Sequence, residues 1–541
     1  MEIWIFAIVI AFLSLDTTAA GQFMVSRPIV VGPLIGWLTG DPLLGLGVGA
    51  LVELIWIGQL PVGNVLPLDA TLLTGLAVVM ADGFSDASGG TLPKEALYVF
   101  ALSVSIPLAM LSSEAEQVVR RLHKAWVRRA QHWMQAGRFL LADAVNLGVL
   151  LELFLKAFAM AALSLWLLRS ATPWFLHSPE GVINAFRYAH WFLMALGCAA
   201  ALDQLVERRK LPILIGAAVL SAGMVLFLHV EVLYILLVAL LAGFALCLRD
   251  LRAHQAGVPE SPEAVSIPPR VPKAALLSAF LRSFFLQTAW NFEKGLNYGV
   301  AFVLAPVLRR LFPPEERARA LVRHMEYFNT QPYVASFILG AILRMEAERA
   351  GLPPVRQKQK EEEISALKMG MMGPVAAVGD NLFWATIRPF CGILAVSLMY
   401  VEPFRGAWLP AVVPMLFLLV FNSAHLSVRM AGFVQGFRAG EQVVETVKRY
   451  GFQEAVNGVR NAAAILLGVI LVCMNHEEIQ KGLVLFSMKV AFFGGLLGLY
   501  TYFLHKRANV AFLFYSVIFI AFILAYWPDL SALPAQPAGQ P

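Results

Sequence analysis

The stretch LPILIGAAVLSAGMVLFLH, residues 211–229, carries no acidic side chain, lysine or arginine. At a rise of about 1.5 Å per residue, a helix of this length crosses the roughly 30 Å hydrocarbon core of a bilayer. The next stretch, EVLYILLVALLAGFALCL at residues 231–248, is apolar after its first residue and is long enough to return. Together the two stretches predict a transmembrane helical hairpin, and therefore an integral membrane protein.

Other apolar stretches continue this pattern along the chain. Residues 482–504 and 508–527 are long enough to span a bilayer, and seven stretches are interpreted as spans or partial spans: 3–20, 95–113, 139–168, 189–205, 386–400, 408–422 and 460–474. Glycine and proline interrupt several of them, which is typical of transporter helices that break where the backbone lines a cavity. The predicted fold is all-α: a polytopic membrane protein with broken or re-entrant helices, and with amphipathic interfacial helices in the charge-rich region 274–349.

The composition supports this class of protein. Of 541 residues, 59% are hydrophobic and 14% are charged, whereas soluble domains carry about 25% charged residues. This balance excludes a soluble enzyme, a disordered protein and a disulfide-rich secreted domain. The formal net charge is +6. Basic residues collect in the cytoplasmic loops of membrane proteins, so this charge is not taken to indicate nucleic-acid binding. The sequence shows no metal-ligand spacing, nucleotide-binding loop or activated nucleophile, so no catalytic residue, cofactor or metal is expected.

The chain divides at a proline-rich segment, DLRAHQAGVPESPEAVSIPPRVP, which covers residues 250–272. Its lack of apolar periodicity predicts a flexible cytoplasmic linker between two membrane domains, 1–249 and 273–541. The two domains show no similarity to each other, so the chain is interpreted as a fusion of two different subunits. Basic clusters at 120–138 and 208–210 predict cytoplasmic loops at those positions.

In the first half, GALVELIWIGQLPVGNVLPLDATLLTG at residues 49–75 places two carboxylates, Glu53 and Asp69, in an apolar setting. A carboxylate at bilayer depth is costly and usually faces a polar cavity. The glycines and prolines of this stretch predict a broken helix, and acids together with amides such as Asn64 suit the binding of several sugar hydroxyls. The alternative is structural: the two acids cap broken helices or pair with Arg27.

Three stretches of the second half combine aromatic, amide and charged residues: QTAWNFEKG (287–295), RHMEYFNTQPY (323–333) and KMGMMGPVAAVGDNLFWATIRP (368–389). Their buried acids and bases are expected to pair with one another. The glycine-rich part of the third stretch lacks Lys-Ser/Thr, so it is not a P-loop. His324 is expected to be a packed histidine rather than a phosphate acceptor. In the first half, Lys156 is expected to pair with Glu152 on the same helix.

These motifs resemble the mannose–fructose–sorbose family of the sugar phosphotransferase system. The first half resembles the IIC component through features in register: Arg27-Pro28, Gly40-Asp41, Glu53 and Pro67-x-Asp69-Ala70. The second half resembles the IID component more closely, through W-N-[YF]-E (290–293), R-H-x-E-[FY]-F-N-T-x-P (323–332) and G-x-M-G-P…G-D-x-[IL]-F-W…R-P (370–389). The resemblance covers nearly the whole chain.

The resemblance implies that the two components form a membrane channel that binds a hexose-type sugar. In the family, cytosolic IIA and IIB proteins carry phosphate on histidines, and IIB passes it to the sugar as the sugar reaches the cytoplasm. The expectation is therefore that this chain translocates and that a partner completes phosphoryl transfer. The resemblance also implies a multi-pass protein of the bacterial cytoplasmic (inner) membrane, in contact with lipid and assembled as a homotrimer.

The matched motifs also suggest which residues are functional. Glu53 and Asp69 are the predicted sugar contacts. Asn64 and Gln22 are further predicted contacts, because they lie near the matched motifs in the sequence. In the second half, the resemblance implies residues that shape the contact between the components and the cytoplasmic mouth, with direct sugar contact as the alternative. They are Trp290, Asn291, Glu293, Arg323, His324, Asn329, Asp380 and Arg388.

One departure from the family motivates a second hypothesis. Where the family often has FQFHRP, this chain has GQFMVSRP at residues 21–28, and the polar and aromatic residues that usually follow Glu53 are replaced. The second hypothesis is a non-transporting membrane receptor or scaffold that docks phosphotransferase proteins and senses their state. The first remains a translocation subunit that passes a hexose to a separate IIB partner.

Overall fold

The computed structural model describes residues 3–61, 66–169, 175–228, 230–256, 271–400, 406, 408–475 and 488–526. Within these residues the chain is α-helical and forms no extended strand, apart from two isolated β-bridges. Eight helical segments are long and apolar enough to cross a membrane. The predicted all-α, polytopic membrane fold is therefore confirmed.

The described residues up to 256 form nine α-helices, which are α1 (Ile3–Thr18), α2 (Pro28–Thr39), α3 (Pro42–Ile55), α4 (Ala70–Ala87), α5 (Lys94–Gln135), α6 (Phe139–Leu168), α7 (Glu180–Leu205), α8 (Leu211–Leu228) and α9 (Val232–Ala256). The last two are the hairpin predicted from 211–229 and 231–248.

The described residues from 271 onward form eleven more, which are α10 (Lys273–Arg282), α11 (Asn297–Leu311), α12 (Pro314–Arg323), α13 (Ala335–Arg349), α14 (Pro354–Gly379), α15 (Arg388–Ser397), α16 (Leu409–Ala439), α17 (Val443–Arg449), α18 (Phe452–Cys473), α19 (Met488–His505) and α20 (Val510–Tyr526). A π-helix, Asp380–Ile387, connects α14 to α15.

Helix α5 corrects one prediction. The loop expected at 120–138 is wrong as a local structure, because α5 continues without a break to Gln135; its cytoplasmic placement stays a prediction. Its 42 residues correspond to about 63 Å, which is longer than the whole bilayer. The continuation consists largely of strong helix formers, and Glu116 pairs with Arg120 one turn later at 2.9 Å. The basic residues therefore lie on the continuation of a helix that is longer than the bilayer is thick.

The two halves of the sequence interleave in space. Helix α7 of the first half packs against both α19 and α20 of the second half, and α18 packs against α8 and α9. One hydrophobic cluster contains buried residues from both halves, for example Leu54 and Leu286. Helix α9 continues into the predicted linker as far as Ala256, and residues 257–270 lie outside the described part. The boundaries at 249 and 273 remain predictions.

Helices α2 and α3 pack backbone to backbone. A Cβ atom added to Gly45 would lie 2.2 Å from the carbonyl oxygen of Gly32, and one added to Gly49 would lie 2.3 Å from the carbonyl oxygen of Pro28. Only residues without a side chain allow this approach, as is common between membrane helices. The contact brings Arg27, just before α2, beside the last turns of α3, where Glu53 lies.

This contact yields a stability prediction. We expect Gly45→Ala to lower the free energy of unfolding by about 1–3 kcal/mol, because the new methyl group forces two backbones apart. The matched control is Gly370→Ala in α14, where an added Cβ meets nothing within 4 Å. The measurement is the thermal unfolding midpoint of each purified variant in detergent. Equal midpoints for the two variants would contradict the close-packing argument.

Candidate functional site

The candidate site is built around a break between two apolar helices. Helix α3 ends at Ile55 and α4 begins at Ala70, and the described residues between them are not helical. Two side chains close the segment: Gln59 Oε1 accepts the backbone N–H of Leu68 at 3.0 Å, and Ser113 of α5 donates to the carbonyl oxygen of Pro67 at 3.1 Å. The predicted broken helix is present. Asn64 lies outside the described residues.

A cavity of about 60 Å³, large enough to hold ordered water, lies beside this break. Helix α1, the residues before α2, the broken segment and α5 contribute its first-half wall, and the second half contributes two side chains. The lining residues are Ser14, Thr17, Met24, Ser26, Arg27, Trp56, Gln59, Pro61, Leu66, Pro67, Leu68, Asp69, Ala70, Thr71, Ser113, Glu116, Trp384 and Arg388.

Asp69 is one of the acids in the cavity wall. Its Oδ1 accepts the backbone N–H of Leu72 at 3.0 Å, so it caps the N-terminus of α4, where the helix dipole favours a negative charge. Its Oδ2 accepts the Ser112 hydroxyl at 2.7 Å, and Lys156 Nζ lies 4.0 Å away. Asp69 therefore caps a broken helix, as the structural alternative predicts, and it also lines the cavity.

Lys156 and Glu116 are members of the site that the sequence did not reveal. The predicted pair of Lys156 with Glu152 is wrong: Lys156 Nζ lies 3.2 Å from Glu116 of α5, while Glu152 accepts the indole N–H of Trp126 at 2.8 Å. Glu116 lines the cavity. Helices α5 and α6 are neighbours in the fold, and this packing, which one sequence does not encode locally, decides the partner of Lys156.

Glu53 lies behind the cavity wall rather than in it. It is fully buried, and its Oε1 lies 2.5 Å from Nη2 of Arg27. Arg27 Nε also donates to both carboxylate oxygens at 3.2 Å. Gly392 of α15 packs against the other side, where an added Cβ would lie 3.3 Å from Glu53 Cγ. Arg27 lines the cavity and Glu53 does not, so Glu53 reaches the cavity only through Arg27.

Arg388 connects the second half to the broken helix. Its guanidinium is buried, and Nη2 donates to the carbonyl oxygens of Ile57 at 2.7 Å and Gln59 at 2.9 Å. These carbonyls follow the C-terminal end of α3, where a positive charge is favourable. Trp384, one turn earlier in the π-helix, lines the same cavity. The motif residue Arg388 thus belongs both to the contact between halves and to the cavity wall.

Gln22 lies at the contact between the halves and not in the cavity wall. Its Nε2 donates to Gln287 Oε1 at 2.5 Å, and its carbonyl oxygen accepts the Tyr333 hydroxyl at 3.1 Å. The backbone is left-handed at Gln22 and at Met24, with φ values of 59° and 67°. Hydrogen bonds from the second half hold this strained segment next to the cavity.

The W-N-F-E motif contacts the first half directly. The backbone carbonyl of Trp290 lies 3.0 Å from His123 Nδ1 of α5, and its indole N–H donates to Asn329 at 3.1 Å. Asn291 Oδ1 accepts two backbone N–H groups and holds the turn that follows. Glu293 is half-exposed and lies 2.8 Å from Lys124 Nζ of α5.

The remaining motif residues lie away from the cavity wall. Arg323 pairs with Glu346, and His324 Nε2 lies 3.0 Å from the same carboxylate. Burial lowers the pKa of His324 to about 4, so this imidazole is neutral at pH 7. Asp380 is half-buried at the first position of the π-helix. No cluster of potential metal ligands occurs among the described residues.

Comparisons with protein families match both halves. Residues 1–247 match the family model described as the sorbose-specific IIC component of the phosphotransferase system. Residues 270–527 match the model described as the mannose/fructose/sorbose family IID component.

Individual relatives agree with these matches. The mannose-specific EIID component of Escherichia coli K12 is 32% identical over 39% of this chain and 71% of the relative. The fructose permease IID component of Bacillus subtilis 168 is 32% identical over 37% of this chain and 70% of the relative. For the first half, the mannose-specific EIIC component of E. coli K12 is 22% identical over 38% of this chain and 76% of the relative. A cryo-EM structure of the mannose transporter ManYZ with microcin E492 is similar at 27% identity, over 47% of this chain and 96% of that one, with a TM-score of 0.28.

The buried Arg27–Glu53 pair yields a second prediction. We expect Glu53→Gln to lower the free energy of unfolding by about 3 kcal/mol, because it leaves the Arg27 charge without its buried partner. Adding Arg27→Gln should recover part of this loss. The control is Lys94→Gln, which breaks a pair with Asp41 in which the lysine is 50% exposed and should cost less than about 1 kcal/mol.

The measurement is thermal unfolding of the four proteins in detergent. A double variant no more stable than Glu53→Gln alone would show that the two side chains do not act as a charge pair.

Proposed function

The chain belongs to the mannose/fructose/sorbose family of the sugar phosphotransferase system, and we propose that the transported hexose binds at the cavity between its two halves, which widens from its volume of about 60 Å³ to admit the sugar. It combines IIC and IID components in one polypeptide and is a sugar permease of the bacterial cytoplasmic membrane. The alternative, a non-transporting receptor, is not favoured, since the relatives described above are named as permease, transporter or phosphotransferase components.

The observation that carries the proposal is the composition of the cavity wall. Asp69 and Glu116 offer carboxylate oxygens, Arg27 and Arg388 offer N–H donors, and Trp384 offers an aromatic surface. Sugar hydroxyls need both acceptors and donors at fixed angles, and an aromatic ring suits the apolar face of a pyranose. Both halves supply these groups, so the site needs IIC and IID together.

We assign different roles to the predicted sugar contacts. Asp69 contacts a sugar hydroxyl directly, because it faces the cavity. Glu53 acts by holding Arg27 in place. Gln22 supports the strained segment that carries Met24 and Ser26 into the wall. Glu116 is a further contact, held by Lys156.

The position of the cavity suits delivery to the cytoplasm. Residues 96–113 of α5 carry no charged side chain, and Ser113 and Glu116 line the cavity where this apolar stretch ends. The basic continuation of α5 marks this end as cytoplasmic. A sugar leaving the cavity here meets a cytosolic IIB partner, which supplies the phosphate. Assembly as a homotrimer in lipid is part of the proposal and rests on the family resemblance.

A binding experiment tests the role of Asp69. We expect Asp69→Asn to weaken hexose binding at least tenfold, about 1.4 kcal/mol, because asparagine still caps α4 but offers the sugar a weaker acceptor. The control is Asp41→Asn: Asp41 likewise caps a helix, accepting the N–H of Leu44 at 2.9 Å, and is not in the cavity wall. The readout is the Kd for labelled mannose, fructose and sorbose in nanodiscs. Equal affinities in both variants would remove Asp69 from the site.

A transport experiment tests the function as a whole. We expect proteoliposomes containing this chain to convert external labelled hexose to internal sugar phosphate only when phosphorylated IIB and IIA are enclosed with them. Omitting IIB should abolish sugar phosphate formation, whereas omitting IIA should limit it to the phosphate that IIB already carries. Hexose binding without any partner-dependent phosphorylation would instead support the receptor hypothesis.

A further inference from the structure

The part of α5 that follows its uncharged stretch carries a basic surface. The uncharged stretch of α5 ends at residue 113, and Lys124 and Arg128 follow 11 and 15 residues later, about 16 and 22 Å along the helix. The headgroup layer on each side of the core is about 5–8 Å thick. For α5 along the bilayer normal, Lys124 and Arg128 lie beyond the headgroup layer, and Lys124 is about one Debye length from it.

Three basic side chains share one face of this part of α5. Arg121, Lys124 and Arg128 follow one another at spacings of three and four residues, so they lie on neighbouring turns of one helix face. All three are exposed, with Lys124 at 45% and Arg128 at 67%. We call these three residues the α5 basic face.

The second half contributes the rim of this face. Glu293 of the W-N-F-E motif lies 2.8 Å from Lys124 and 3.9 Å from Arg128. Trp290, three residues earlier, packs under the guanidinium of Arg120, with 5.6 Å between Arg120 Cζ and the ring centre. One acid thus partly neutralises two cations, and the α5 basic face lies at the junction of the two halves.

The α5 basic face is joined to the cavity by the same helix. Glu116 lines the cavity and pairs with Arg120 at 2.9 Å, and Lys124 lies one turn beyond Arg120. The face therefore lies about 8–18 Å along α5 from Glu116 in the cavity wall. A protein that docks there is within reach of a sugar leaving the cavity.

We propose that the α5 basic face is the docking surface for the phosphorylated IIB partner. This inference rests on the proposed function and names the surface of this chain that its cytosolic partner recognises. A phosphorylated partner approaches with additional negative charge, which exposed lysine and arginine side chains attract and orient. Glu293 weakens this attraction, because its carboxylate partly neutralises Lys124 and Arg128 while no partner is bound.

The test compares two sets of substitutions that remove the same charge. Arg121→Gln, Lys124→Gln and Arg128→Gln together neutralise the α5 basic face, and glutamine keeps the helix propensity. The matched control is Arg209→Gln, Arg249→Gln and Lys448→Gln, which removes three cations that are 65%, 69% and 68% exposed elsewhere. The readout is direct binding of purified phosphorylated IIB to the full chain in nanodiscs, without sugar.

We expect the first set to weaken binding of phosphorylated IIB by about tenfold or more at low salt, and the control set to change it little. The difference should shrink at high ionic strength. Glu293→Gln should have the opposite effect and strengthen binding, because it frees two cations. Equal weakening by both triple variants, or a weakening by Glu293→Gln, would overturn the proposal.

Two further measurements distinguish docking of IIB from an effect on lipid and from loss of folding. If the effect of the first set appears with anionic lipid and disappears in purely zwitterionic nanodiscs, the face acts on lipid and the proposal is wrong. Hexose affinity is measured in parallel and should be unchanged in the first set, which also shows that the variant is folded. If the unmodified chain does not bind hexose, the proposed function is wrong. If the first triple variant binds phosphorylated IIB as tightly as the unmodified chain does, only this inference is wrong.

Discussion

The hydrogen bonds from Arg388 to the carbonyl oxygens of Ile57 and Gln59 are the contact on which the site depends. A cavity between helices requires a break in a helix, and a break at membrane depth leaves backbone carbonyls that lipid cannot satisfy. A guanidinium from the second half satisfies two of them. The cost of burying that charge is offset by these two hydrogen bonds and by the negative end of α3. Without the second half, these two carbonyls would lose the guanidinium that satisfies them.

Two acids at the cavity are each held by at least one base from another segment of the chain. Glu53 is held by Arg27, and Glu116 by both Arg120 and Lys156. Such buried pairs add little net stability, but removal of one partner is costly. Their effect is to fix the directions of the side chains. A sugar site needs this rigidity, because epimeric hexoses differ only in the direction of single hydroxyl groups.

The sequence was sufficient for the membrane class, the helical hairpin and the broken segment, because each depends on local apolarity or on proline and glycine. It also identified Glu53 and Asp69 as unusual acids. It could not determine where each acid points, since Arg27 reaches Glu53 only after α2 and α3 have packed through Gly32 and Gly45. The Lys156 partner was missed for the same reason: spacing along one helix is visible in a sequence, whereas packing between helices is not.

The interleaving of the halves gives a physical meaning to their fusion. Helices α19 and α20 of the second half pack on α7 of the first, and α18 packs on α8 and α9. If the halves were separate chains, these contacts would have to form by association within the membrane, at a rate and extent set by the amounts of each. In one chain the same contacts are intramolecular, so the effective concentration of one half near the other is fixed by the connecting segment. The cavity wall, which needs Arg388 and Trp384 beside Asp69, is then assembled from equal amounts of both components.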